Sequence, residues 1–101
     1  IADHGGLQVS YQAFKNATAQ APLPVENGFT PEQRFFLSYA NVWAGNIRPE
    51  EILRLTKLDV HSLGKWRVDG ALPQIDAWYE AFNITEEDPL YIPADKRVSI
   101  W

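Results

Sequence analysis

Leu7, Tyr11 and Phe14 recur at i, i+4 and i+7, with Gln8, Gln12 and Lys15 off that line. This 3.6-residue period predicts a helix from Ile1 to about Ala19. Gly5 and Gly6 interrupt it at about 1 kcal/mol each relative to Ala, a cost that close packing against another backbone would explain. Ala21-Pro22-Leu23-Pro24 and Asn27-Gly28 read as a loop. The clearest start signal follows, with Thr30 as N-cap, Pro31 at the first helical position and Gln33 completing a capping box. Phe35, Phe36, Tyr39, Ala40, Val42 and Trp43 then form a broad apolar surface, which predicts a nearly buried helix stopped at Gly45. A third helix opens at Pro49, carries Glu50 and Glu51 in its first turn, and turns Ile52, Leu55 and Leu58 inward. A fourth starts at Pro73, where Ile75, Trp78, Tyr79 and Phe82 again follow the helical period. Beyond Asn83 the chain is irregular, Glu86-Glu87-Asp88 reads as a solvated acidic run, and Val98, Ile100 and Trp101 alternate as a docked tail or short strand. Four helices without a β pattern or an internal repeat predict an all-α fold.

Candidate chemistry gathers between the third and fourth helices, from Leu58 to Gly70, in a stretch that two glycines mark as a loop. Asp59 stands two residues before His61, where it can hold the imidazole in one tautomer and raise its pKa, so that His61 acts as a charged donor. Arg67 adds a planar fork of donors suited to a carbonyl or carboxylate. Gly64 and Gly70 allow a sharp turn or a close approach. The alternative is a surface loop with a solvated histidine and an arginine in an ordinary ion pair. Asp3 likewise has two readings, an exposed first-turn carboxylate favoured by the helix dipole or a carboxylate facing a site. Trp43 reads as a core residue or a pocket wall.

Composition narrows the classes. The 101 residues allow at most one domain with a modest core, and a hydrophobic fraction of 46% marks it as folded. A net charge of -4 with nine Lys and Arg argues against a nucleic-acid partner. No apolar run approaches the roughly 18 residues of a membrane helix. Without cysteine there are no disulfides, thiolate zinc sites or cysteine nucleophile. His4 and His61 sit on different segments without HExxH spacing, so the chain contains no complete metal site. Asp59, His61 and Ser62 are too close in sequence to converge as a triad. There is no methionine, even at position 1, and Ile1-Ala2-Asp3 lacks an N-cap. We therefore expect an excised or processed piece whose first helix begins upstream.

Four motifs in order carry a resemblance: Ile1-Ala2-Asp3-His4-Gly5-Gly6-Leu7, Phe35 to Gly45, Arg48-Pro49-Glu50, and Asp59 to Gly70, with Trp101 as the last residue. Together they resemble the C-terminal end of the neprilysin-type zinc metalloendopeptidases, which include the endothelin-converting enzymes and bacterial oligoendopeptidases. The resemblance implies that residues 1–101 are the C-terminal portion of a gluzincin-like catalytic domain, with peptide substrate and the remainder of that domain as partners. In that family zinc is held by two histidines of an HExxH helix and a glutamate of an E-x-x-x-D motif. Asp3 matches the aspartate of the second motif, which puts the glutamate two residues upstream of Ile1 and the HExxH helix further upstream. By resemblance Asp3 orients a zinc-bound histidine. His61 donates to the oxyanion of the tetrahedral intermediate, and Asp59 keeps His61 oriented. Arg67 binds a substrate carbonyl beyond the scissile bond, and Val42 and Trp43 line the pocket for the residue after it. The secreted animal members carry cysteines here, so the resemblance implies a bacterial-type member, extracytoplasmic rather than cytoplasmic. A non-catalytic helical interaction module, or a relative that lost its metal, is the alternative.

Overall fold

The computed structural model describes residues 1–99. Five α-helices account for most of them: α1 (Ala2–Gln20), α2 (Pro31–Val42), α3 (Pro49–Leu58), α4 (Gly64–Asp69) and α5 (Asp76–Phe82). Short 3₁₀ turns lie at Leu72–Gln74 and Ala94–Lys96. No strand occurs among the described residues, and the all-α expectation holds. Glu26 and Phe29 exchange backbone hydrogen bonds of 3.1 and 2.9 Å across Asn27-Gly28. Both central residues have positive φ, the combination that makes Asn-Gly a favoured tight turn.

The predicted capping box at α2 forms in full. Thr30 Oγ1 accepts from the Gln33 N–H at 3.1 Å, and Gln33 Oε1 accepts from the Thr30 N–H at 3.0 Å. The same glutamine donates Nε2–H to the carbonyl of Ala81 at 2.9 Å, so one residue both starts α2 and ties it to α5. Leu7, Phe36, Ala71, Leu72, Ile75, Trp78 and Tyr79 form the buried core between α1, α2 and the segment leading into α5. Tyr11 stacks on Phe36 and meets Phe35 edge-on, each with centroids 5.3 Å apart, in the arrangements that aromatic quadrupoles favour.

Several expectations change. The fourth helix divides: Pro73 sits in a 3₁₀ turn and α5 begins at Asp76, although Ile75, Trp78 and Tyr79 are buried as their period requires. Asn83 then stops α5 in a left-handed conformation with φ of 52°, which a short polar side chain tolerates better than most. The segment Gly64–Asp69, read as loop, is a helix without any side-chain cap. Only Phe36 of α2 is fully buried, and Val42 is 69% exposed, so that helix is half-buried rather than enclosed. No residue of α3 is buried; of the face expected inward, Leu55 is half-buried, Ile52 is 38% exposed and Leu58 is 70% exposed. Gly6 is exposed, and a Cβ built on it would meet nothing within 4 Å, so packing does not explain it, whereas Gly5 is buried. Val98 is partly exposed, while the rest of the predicted tail, Ile100 and Trp101, lies outside the described residues.

Candidate functional site

Asp59 ends α3. Its N–H still bonds the Leu55 carbonyl at 2.9 Å, but its backbone is already extended at φ -84° and ψ 135°. The chain then folds back so that Asp59 Oδ1 accepts from the His61 backbone N–H at 2.9 Å and contacts His61 Nδ1 at 2.9 Å. This turn, closed by an aspartate side chain two residues upstream, locks the carboxylate and the imidazole together. With Nδ1 engaged by Asp59, Nε2 is the ring nitrogen of His61 left for another partner. The His61 side chain is 68% exposed. The backbone N–H and then the ring hydrogen bond of His61 hold the Asp59 carboxyl below its usual range.

The second pair joins α1 to α4. Arg67, on α4, donates Nε–H to Asp3 Oδ2 at 2.6 Å and Nη2–H to Asp3 Oδ1 at 2.7 Å. Such parallel bonds fix the position of a guanidinium and the direction of its bonded edge. The hydrogen bonds from Arg67 hold the Asp3 carboxyl below its ordinary value, outweighing the opposing effect of burial. The guanidinium carbon of Arg67 lies 3.9 Å from the centroid of the Trp43 ring. Tyr39 donates its hydroxyl to the Arg67 carbonyl at 2.8 Å.

Asp3, His61 and Arg67 line one cleft of about 420 Å³, with Ser62, Trp66 and His4 also on its wall. Asp59 and Trp43 are not on that wall and reach it through His61 and Arg67. Val42 does not line it. Of the six residues singled out by sequence, five therefore meet around one site. The Asp3–Arg67 pair, separated by 64 positions, was not legible in the spacing. Among the described residues no group of three His, Cys, Asp or Glu side chains is placed to hold a metal ion. The residues present do not make a zinc site by themselves.

Sequence reading also passed over His4. It is 5% exposed, lines the cleft, and has only Gln8 Nε2 near its Nε2, at 3.4 Å. Its one visible signal was adjacency to Asp3. Burial pushes its pKa below the ordinary 6.5. The unfolded chain therefore takes up this proton first as pH falls, so the stability His4 contributes is complete above about pH 6.5 and is lost progressively below it. The expected result is that the melting-temperature difference between wild type and His4→Gln narrows on acidification from about pH 7.5 to 5, as read in thermal melts. A constant difference would mean that His4 does not titrate differently in the two states.

The profile of peptidase family M13 matches residues 1–98. Membrane metallo-endopeptidase-like 1 of Mus musculus is 39% identical over 105 residues, an alignment covering all of this chain and 13% of the relative. Neprilysin of Homo sapiens is 35% identical over 104 residues, covering all of this chain and 14% of the relative. Structures of the Mycobacterium tuberculosis zinc metalloprotease Zmp1, in its open state and with inhibitor, superpose with a TM-score of 0.90 at 36% identity. They match 98% of this chain and 15% of the Zmp1 chain. The chain thus spans about one seventh of the length of the relatives it matches. The expectation of a bacterial-type, extracytoplasmic member is corrected by these relatives: proteins of mouse, human and Caenorhabditis elegans match the whole chain alongside the mycobacterial one. Missing cysteines report on disulfides within this segment and separate neither animal from bacterial members nor one compartment from another. With its family profile running from residue 1 to 98 and its fold superposing on a solved zinc metalloprotease, the chain belongs to peptidase family M13.

Proposed function

We propose that the full-length protein is a zinc-dependent endopeptidase acting on short peptides, and that this chain supplies its oxyanion donor and part of its substrate-binding wall. The observation that carries this reading is the convergence of two carboxylate-held side chains, His61 on Asp59 and Arg67 on Asp3, at one cleft. Protonated His61 donates Nε2–H to the oxygen on which charge develops as the peptide carbonyl becomes tetrahedral. A donor already held in place costs no reorganisation at that moment. Asp59 positions it and balances its charge. Arg67 donates to a substrate carbonyl beyond the scissile bond through protons not used by Asp3. The Asp3 carboxylate keeps lone pairs beyond those accepting from Arg67, and these can orient a histidine from elsewhere in the domain. By resemblance Val42 and Trp43 are assigned to the pocket for the residue after the scissile bond, although Val42 does not line this cleft and Trp43 reaches it through Arg67.

The zinc ligands, two histidines of HExxH and a glutamate, are assigned to sequence preceding Ile1, and the chain alone is inactive. Its shape supports a role as part of a larger body. The radius of gyration is 15.3 Å, against roughly 13 Å for a self-contained domain of this length. Leu53, Leu58 and Val60 are also left exposed, and the remainder of the catalytic domain is assigned to cover them. The test is peptide hydrolysis by the full-length protein with and without a zinc chelator. Cleavage that stops on chelation and returns with zinc is expected. A folded, zinc-supplied full-length protein that cleaves nothing in a varied peptide pool would overturn the reading.

A further inference from the structure

Trp43 follows α2, and α4 packs directly onto it. A Cβ built on Gly64 would stand 2.9 Å from the Trp43 carbonyl oxygen and 3.3 Å from its Cβ, so the first residue of α4 has room for hydrogen only. Three residues on, and hence on the same face of α4, Arg67 lays its guanidinium 3.9 Å from the Trp43 ring centroid. Two contacts one turn apart therefore register α4 against this tryptophan. Asp3 grips the guanidinium by its edge, through Nε and Nη2. An edge-on pair leaves the group free to tilt about the line of its two bonds, and a ring against the face removes that freedom. The Tyr39 hydroxyl fixes the Arg67 carbonyl from the same helix that leads into Trp43.

We propose that Trp43 is a positioning residue for Arg67: its indole is the platform that sets the plane of the guanidinium which receives the substrate carbonyl. This rests on the peptidase reading for the identity of the ligand, while the Trp43–Arg67 dependence itself does not. It differs from a role as pocket wall, in which Trp43 touches the substrate side chain directly and acts independently of Arg67.

The experiment uses the full-length protein carrying Trp43→Leu, Trp43→Phe and Arg67→Ala, alone and combined. Trp43→Leu is expected to raise KM about ten-fold with little change in kcat, because the lost face contact loosens binding rather than chemistry. Trp43→Phe, which keeps an aromatic face, restores most of it. In the Arg67→Ala background Trp43→Leu has little further effect, since the group it positions is gone. Phenylglyoxal modification of Arg67, followed by peptide mass mapping, supplies a readout independent of activity. Its rate is expected to rise several-fold in Trp43→Leu and to stay near wild type in Trp43→Phe. An unchanged Arg67 modification rate in a folded Trp43→Leu protein overturns the proposal, as does a KM effect that persists undiminished without Arg67. If Trp43→Leu does not fold, Trp43→Met, which likewise removes the aromatic face, decides in the two backgrounds by the same additivity test. A wild type that cleaves no peptide refutes the peptidase reading, and the modification rates still decide the role of Trp43.

Discussion

Replacing His61 with Ala in the full-length protein is expected to lower kcat by about 10²–10³-fold while KM stays close to wild type. That is the size of loss typical of removing one preorganised donor to an oxyanion. The split follows from when the bond forms. A ground-state carbonyl gains little from the His61 Nε2–H, whereas the tetrahedral oxygen gains much, so the interaction belongs to the transition state. The geometry makes His61 suited to this: Asp59 engages both its backbone N–H and its Nδ1 at 2.9 Å, which leaves one nitrogen for the cleft. His61 is also exposed and carries no part of the core, so His61→Ala should fold normally. Steady-state kinetics on one peptide, with a thermal melt as the folding control, checks the prediction. A rise in KM with kcat intact would refute the oxyanion role.

Arg67→Ala is expected to do the opposite, raising KM by about ten- to hundred-fold with a smaller change in kcat, the consequence of losing a charge-assisted hydrogen bond made to substrate before and during reaction. Arg67→Lys should rescue little. A lysine ammonium can neither bridge both Asp3 oxygens in parallel nor offer a planar face to the Trp43 ring, whose centroid lies 3.9 Å from the guanidinium carbon. Removing Arg67 also strips Asp3 of its partner, so some loss of stability accompanies the kinetic effect. Full rescue by Lys would show that charge alone matters at this position and that the fixed plane does not.

The helices that formed where predicted are those with local signals. The capping box of Thr30 and Gln33 and the prolines Pro31 and Pro49 at first helical positions each act within a few residues, whereas the apolar period through Ile75, Trp78 and Tyr79 marked the buried positions but not the start of α5. Where the signal was short or bounded by glycine, the reading missed. Gly64–Asp69 has six residues and no cap, and it is held by tertiary contact through Gly64 and Arg67 to Trp43. The inward face assigned to α3 is met only in part, for a different reason. Periodicity locates an apolar stripe but names no partner, and among the described residues Ile52 and Leu55 are only partly covered while Leu58 is 70% exposed.

The site divides along the same line. Asp59 and His61 are two residues apart, close enough for the sequence alone to pair them, and four ordered motifs were enough to place the chain in its family. The Asp3–Arg67 bridge and the Trp43 ring beneath that arginine join residues 64 and 24 positions apart. No spacing rule reaches that far. Only the packing of α1 and α4 around the end of α2 brings an acid, a cation and an aromatic face into one contact. Local hydrogen bonding is written in neighbouring residues, while the direction in which a charged side chain is held depends on what the fold sets against its edge and its face.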